Sequence, residues 1–203
     1  MKIFFTCIIL LGNIIHIAAQ TQTYDSYVRQ GKQKMELQDY KKAIVDFTIA
    51  LEIEPGIEAF IYRANAKKML DDIDGAMNDY NDAIVLDPKN AVLFNNRGNL
   101  KDEAHQPALA IKDYDKAIEL DADYINAYYN RGIAHYNIKD YEGAKEDFLK
   151  VIELNKEDGL AYIGLALTNY KLNDRDQACV NFLKAKQYGF QKADDYLKKY
   201  CNQ

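Results

Sequence analysis

The sequence has 203 residues, with 26 Lys and Arg against 31 Asp and Glu, and a net charge of −5. A mildly acidic chain without runs of like charge lacks the positive surface that binds nucleic acid or anionic lipid, so neither partner is expected. The 10 Gly and 3 Pro are too few for a flexible linker or a collagen-like chain.

The first nineteen residues have the three parts of a secretory signal peptide. Lys2 supplies a positive start, an apolar run follows from residue 3, and small residues end at Ala19. Asn13 and His16 interrupt the run, which is shorter than the roughly 20 apolar residues that span a bilayer, so a signal peptide is favoured over a membrane anchor. We expect export, to a bacterial periplasm or alternatively by secretion, without membrane insertion of the mature chain.

The rest of the chain repeats itself with a period of 33 or 34 residues. An aromatic residue is followed four positions later by a small one, and both recur: Tyr27, Phe60, Phe94, Tyr128, Tyr162 and Gly31, Ala64, Gly98, Gly132, Ala166. A second small and aromatic pair recurs in the same register: Ala43, Ala76, Ala110, Ala144, Ala178 and Phe47, Tyr80, Tyr114, Phe148, Phe182. A fixed period of this size indicates stacked helical units that bury each other's apolar faces.

Each unit contains the spacing of two helices. Ala144, Phe148, Val151 and Ile152 lie at i, i+4, i+7 and i+8, which is one stripe of an amphipathic helix. Asp residues between the two helices are suited to cap the second one, and Pro107 fits a first helical turn. Small residues on the stripe let helix backbones approach closely, whereas charged neighbours such as Arg131 are expected on the surface.

These residues resemble the tetratricopeptide repeat, whose pattern of aromatic, small, Ala, aromatic, Ala and Pro extends over about 34 residues. The resemblance implies an all-α fold, a right-handed α-solenoid of about five helix-turn-helix units with a C-terminal capping helix. The expected order is a signal peptide (1–19), a short segment (20–23), an array of five units (24–192) and a capping helix with a tail (193–203). The five units are expected at 24–56, 57–90, 91–124, 125–158 and 159–192.

The end of the chain carries a candidate cap. Residues 193–200 place their apolar side chains on one helical face, which suits a helix covering the last unit. Cys179 and Cys201 remain after signal cleavage, and an even pair in an exported chain predicts a disulfide. Two reduced thiols are the alternative.

We find no constellation of residues typical of an enzyme. His105 and His135 lack companions at metal-ligand spacing, and no phosphate loop or nucleophile signature is present. The sequence therefore predicts a protein that is not an enzyme and has no cofactor and no metal site.

The resemblance implies a concave groove lined by the first helix of each unit, where a protein or peptide partner binds. The predicted partner-binding residues are Asn65, Asn95, Asn99, Tyr129, Ile133, Tyr136, Ile163, Leu167 and Tyr170. Some family members bind a C-terminal carboxylate there, but Asn126 and Asn130 stand where cations are needed. An extended or helical peptide laid over the apolar and aromatic C-terminal half of the groove is therefore favoured. The alternative to such a scaffold is a structural subunit of an envelope or membrane-associated complex that assembles through the ends of the array.

Overall fold

A computed structural model of the protein describes residues 23–201; the predicted signal peptide at 1–19, residues 20–22 and the last two residues of the tail lie outside the described part. Within that part the chain forms eleven α-helices and no strand, which confirms the predicted all-α class. The helices are α1 (Tyr24–Glu36), α2 (Tyr40–Ile53), α3 (Ile57–Lys68), α4 (Ile73–Leu86), α5 (Ala91–Glu103), α6 (Pro107–Leu120), α7 (Ile125–Asn137), α8 (Tyr141–Leu154), α9 (Gly159–Lys171), α10 (Arg175–Gln187) and α11 (Ala193–Tyr200).

The same turn joins the two helices of each predicted unit. One residue in each turn has a left-handed backbone, and none of the five is glycine: Gln38, Asp71, His105, Lys139 and Asn173. The next N–H reaches back to the preceding helix, as from Asp140 to the carbonyl of His135 at 2.9 Å, which is a Schellman closure. The Asp140 side chain then accepts a hydrogen bond from the N–H of Gly143. The predicted aspartate caps are confirmed at Asp39, Asp140 and Asp174.

The described chain divides into two compact units, at residues 23–72 and 73–201. The first contains α1 to α3, and its core centres on Phe47, which is completely buried and stacks on Tyr62 with ring centroids 5.7 Å apart. The N–H of Ala59 on α3 donates to the hydroxyl of Tyr24 on α1 at 3.2 Å. Thr23 closes the start of α1 with a capping box.

The second unit contains α4 to α11, and its core follows the repeating aromatic residues. Tyr80, Tyr114, Phe148 and Phe182 are at most 4% exposed. Small residues on neighbouring helices make room for these rings, as at Gly98, where an added Cβ would lie 2.6 Å from Cε1 of Tyr114. The repeated small and aromatic residues therefore build the core as the periodicity predicted, while the exact unit boundaries stay a prediction.

Helix α11 covers the last part of this core. Tyr196 and Tyr200 stack on Phe182 with ring centroids 5.5 and 5.7 Å apart. Gly189, with φ of 84°, provides the left-handed residue that ends α10 and turns the chain toward α11. Cys179 and Cys201 form a disulfide that ties the end of α11 to α10.

Candidate functional site

An apolar cavity of about 150 Å³ opens between α7 and α9, and we call it the front cavity. Its lining residues are Tyr129, Ile133, Tyr136, Phe148, Leu160, Ile163, Gly164 and Leu167. Five of the nine predicted partner-binding residues thus lie together: Tyr129, Ile133, Tyr136, Ile163 and Leu167. Phe148, Leu160 and Gly164 were not predicted.

Two helices position the walls of the front cavity. Tyr129, Ile133 and Tyr136 lie at i, i+4 and i+7 on α7, so they share one helical face. The ring of Phe148 comes from α8 and meets Tyr129 edge-on, with centroids 5.8 Å apart. Gly164 on α9 allows this approach, because a Cβ there would lie 2.5 Å from the Phe148 ring. Gly164 lies two positions before Ala166, and the two preceding units have Asn96 and Asn130 at the equivalent position. This change to glycine was the sequence signal for the close approach of α9 to Phe148.

The front cavity presents neutral chemistry. Burial, and then the negative charge of Asp158, raise the pKa of Tyr129 above its ordinary value. Burial is also the main cause that raises the pKa of Tyr136. Both phenols therefore stay protonated at neutral pH and act as hydrogen-bond donors beside aliphatic walls. The cavity is suited to an apolar side chain flanked by hydrogen-bond acceptors.

A second cavity, of about 330 Å³, adjoins the front cavity at the capping helix. Tyr136 and Leu167 line both cavities, and α11 contributes the remaining lining residues: Asp195, Tyr196, Lys199 and Tyr200. Tyr170, a predicted partner-binding residue, packs against Tyr200 with ring centroids 4.6 Å apart. The capping helix therefore packs over Tyr170, and its own apolar side chains continue the surface beyond this residue.

None of the predicted asparagines is among the residues that line these two cavities. Asn95 is 3% exposed, and its side-chain oxygen accepts a hydrogen bond from Asn130 at 3.0 Å. The side-chain oxygen of Asn99 accepts one from the hydroxyl of Tyr114 at 2.8 Å. Asn65 lies on α3, in the first compact unit. Asn95 and Asn99 thus satisfy polar groups within the fold.

The prediction that the repeated arginines lie on the surface is wrong. Arg131 was expected on the surface, yet its side chain is only 21% exposed and its guanidinium contacts Asp147 on α8 and Asp115 on α6, each at 2.6 Å. Arg97 likewise contacts the buried Asp113 at 2.7 Å. Asp113 and Asp147 directly precede Tyr114 and Phe148 at the repeat spacing, and this was the sequence signal for the arginine contacts.

These contacts pair buried charges of opposite sign. Burial raises the pKa of Asp147, while the hydrogen bonds and the charge of Arg131 lower it, with a net rise. Burial alone would lower the pKa of Arg131, but its hydrogen bonds to Asp147 and Asp115 raise it above its ordinary value. The pair thus holds neighbouring units in register, because breaking it leaves a buried charge uncompensated.

The histidines have structural positions. His105 is one of the left-handed turn residues, and Nδ1 of His135 lies 2.7 Å from Oδ2 of Asp140 in the next turn. Within residues 23–201, no group of three His, Cys, Asp or Glu side chains is arranged to hold a metal ion. In the same range, no helix combines the length and the hydropathy that crossing a membrane requires.

The repeated pairs of helices, with small and aromatic residues at matching positions, define an all-α repeat protein. Comparison with family models gives its family. A tetratricopeptide-repeat model matches residues 125–158, and a second repeat model of this type matches residues 108–139. Residues 108–158 therefore contain tetratricopeptide repeats. Among curated proteins, none matches the sequence.

Solved structures of the same fold cover most of the chain. The protein is similar to MamA at 24% identity and a TM-score of 0.73, covering 85% of this chain and 95% of that one. It is similar to YrrB, described as a TPR protein with an unusual peptide-binding site, at 19% identity and a TM-score of 0.70, covering 92% and 97%. PilF of Pseudomonas aeruginosa gives 25% identity and a TM-score of 0.73, covering 82% and 76%.

Proposed function

We propose that the protein is a non-enzymatic interaction scaffold that binds an apolar segment of a protein or peptide in the front cavity. The observation that carries this proposal is the convergence of five predicted partner-binding residues on one apolar cavity. Apolar cavities with a few polar groups at their edge are typical of binding sites. Tyr129 and Tyr136 supply aromatic contact area and a neutral hydroxyl each, the combination found at interface hot spots.

The same surface continues over the capping helix, which suits a partner longer than one side chain. Tyr136 and Leu167 connect the front cavity to the cavity at α11. Asp195 and Lys199 add one charge of each sign there. A peptide segment with an apolar residue in the front cavity would continue along this direction, with polar groups meeting these two side chains.

A peptide selection tests the proposal. A phage library of random dodecapeptides is selected on the wild-type protein, and the recovered peptides are titrated by fluorescence anisotropy. The double variant Tyr136→Ala, Leu167→Ala should weaken binding by at least tenfold, as loss of hot-spot side chains does. The matched control is Leu183→Ala on α10, an exposed leucine remote from the front cavity, which should bind within about twofold of wild type. Equal affinity of the double variant and the control would refute the proposal.

We also infer export to the periplasm of a Gram-negative bacterium, with secretion as the alternative. The N-terminal sequence supports export, and so does the disulfide between Cys179 and Cys201, because such bonds persist in oxidising compartments. Fusion of residues 1–30 to alkaline phosphatase gives the test. The fusion should be active and cleaved near Ala19, whereas an inactive, uncleaved fusion would contradict export.

A further inference from the structure

A third cavity lies at a different face of α9, where the repeated residues change. Arg131 of α7 fills the space between α6 and α8 through its contacts with Asp115 and Asp147. Thirty-four residues further on, the positions equivalent to Arg131, Asp115 and Asp147 hold Leu165, Leu149 and Asn181. Leucine is shorter than arginine and has no charge to pair. A cavity of about 370 Å³ remains between α8 and α10, and we call it the back cavity.

The back cavity contains polar groups that the fold leaves without partners. Asn169 is 3% exposed, and its side-chain oxygen has no hydrogen-bond partner among residues 23–201. Asn181 is 5% exposed and also lines the cavity. Buried amide groups are nearly always hydrogen-bonded, and leaving one unpaired costs about 1–3 kcal/mol. Asn169 therefore brings to the cavity wall a side-chain acceptor that no donor of the described residues uses.

The charges around the back cavity have one sign. Lys145 of α8 and Lys184 of α10 line it, and no acidic side chain of the described residues does. Within residues 23–201 neither lysine forms an ion pair, whereas Lys150 on α8 pairs with Glu153 at 2.8 Å. The Nζ of Lys184 lies 5.3 Å from the centroid of the Tyr162 ring. Two unpaired ammonium groups in an otherwise acidic protein favour an anionic ligand.

The remaining wall of the back cavity is aliphatic. Leu149, Ile152 and Leu165 line it, so the ligand needs an apolar portion next to its anion. The volume of about 370 Å³ lies at the lower end of the range for small-ligand sites, which suits one or two amino-acid residues. The cavity thus offers cations, a hydrogen-bond acceptor and an apolar wall together.

We propose that the back cavity binds a carboxylate that carries a neighbouring amide N–H and an apolar side chain, the chemistry of a peptide C-terminus or an N-acylated amino acid. The carboxylate contacts Lys145 and Lys184, the amide N–H donates to Asn169, and the side chain packs on Leu149 and Leu165. A free amino acid fits poorly, because its ammonium group would lie beside two lysines. This site is separate from the front cavity and does not depend on its function.

Calorimetric titration of the full chain tests the ligand chemistry. The probes are N-acetyl-glycyl-leucine, the same compound as its C-terminal amide, N-acetyl-leucine, and free leucine. The free acid should bind at least tenfold more tightly than its amide, because the amide loses the charge-assisted contacts to the lysines. Tighter binding of the acetylated dipeptide than of acetyl-leucine identifies a peptide C-terminus, and equal binding of the two identifies an N-acylated amino acid. Equal binding of acid and amide, or no binding of either, overturns the proposal.

Variants of the chain locate the site. The double variant Leu165→Arg, Asn181→Asp restores the charged pair of the other junctions and fills the back cavity, so binding of the acid should be lost. Lys145→Ala, Lys184→Ala removes only side chains at the cavity mouth and should weaken binding at least tenfold, with the fold checked by circular dichroism. Lys112→Ala, which removes an exposed lysine on α6, is the control for loss of a surface charge and should bind as wild type does. Unchanged binding in the lysine double variant would refute this site.

The front cavity is tested apart from this proposal. The variant Tyr136→Ala, Leu167→Ala should keep full affinity for the acetylated dipeptide, and the filled variant should keep full affinity for the peptides selected on the front cavity. Loss of acid binding in the Tyr136 and Leu167 variant would place the ligand in the front cavity and overturn the back-cavity proposal.

Discussion

Replacement of Gly98 by alanine measures how closely two helices approach in the second unit. An added Cβ at Gly98 on α5 would lie 2.6 Å from Cε1 of Tyr114 on α6. The ring cannot turn aside freely, because Tyr114 is 1% exposed and its hydroxyl is bonded to Asn99 at 2.8 Å. The equivalent residue Gly132 leaves more room, with its nearest neighbours at 3.2 Å. The two glycines form a matched pair for one substitution.

The expected magnitudes differ between the two positions. Alanine favours a helix interior over glycine by about 1 kcal/mol. Overpacking of a well-filled core costs about 1–3 kcal/mol, and we assign the upper half of this range to Gly98→Ala. Its net loss of unfolding free energy is then about 1–2 kcal/mol, equivalent to a fall in Tm of roughly 2–8 °C for a chain of this size. Gly132→Ala should stay within about 1 kcal/mol of wild type, because its neighbours need to move by only a few tenths of an ångström.

Urea unfolding followed by far-UV circular dichroism measures both variants. Adding Tyr114→Phe frees the ring from Asn99, so the double variant Gly98→Ala, Tyr114→Phe should lose less stability than the sum of the single changes. If Gly98→Ala proves as stable as Gly132→Ala, the close approach of α5 to the Tyr114 ring is wrong.

Two further predictions concern covalent and ionic contacts. Replacing Cys179 and Cys201 by serine opens a loop of 22 residues and should cost roughly 3 kcal/mol, seen as a lower Tm than that of the oxidised wild type; equal melting curves with and without reductant would contradict a stabilising bond. Arg131→Ala should cost about 3–5 kcal/mol at neutral pH, because it leaves Asp147 buried and unpaired. Burial already raises the pKa of Asp147, and loss of Arg131 raises it further, so the folded variant takes up a proton more readily than the unfolded chain as pH falls. The difference from wild type should therefore shrink as the pH falls below neutral in urea titrations, and a widening difference would refute this assignment.

The repeat made the helical core predictable from the sequence. Phe148 and Ala144 recur at a fixed spacing, and a residue that recurs in this way on an apolar stripe packs in the same place in each unit. The turns were predictable too, because four of the five units have an aspartate at the position of Asp140, and the third unit has Gln106 followed by Pro107. The polar contacts were not. Arg131 lies on a helix with an exposed side, and its burial depends on carboxylates supplied by α6 and α8, which a pattern along one helix does not contain.

The front cavity and the back cavity each depend on one residue of α9 that differs from its equivalents in the preceding units. Gly164 brings α9 close to Phe148 and shapes the front cavity, and Leu165 leaves the space behind α9 unfilled. Such a departure carries no periodic signal: Leu165 stands where three units have arginine and the first unit has Gln30. The apolar residues of the front cavity were still predictable, since Tyr129, Ile133 and Tyr136 share a helical face.

Helix α11, held by the disulfide, covers the end of the core formed by α10. Tyr196 and Tyr200 cover Phe182, and the bond between Cys179 and Cys201 keeps them there. A second copy that stacked its own helices on this end would have to displace a covalently attached helix. As long as the disulfide is intact, the face of α10 around Phe182 is therefore covered by the chain's own helix.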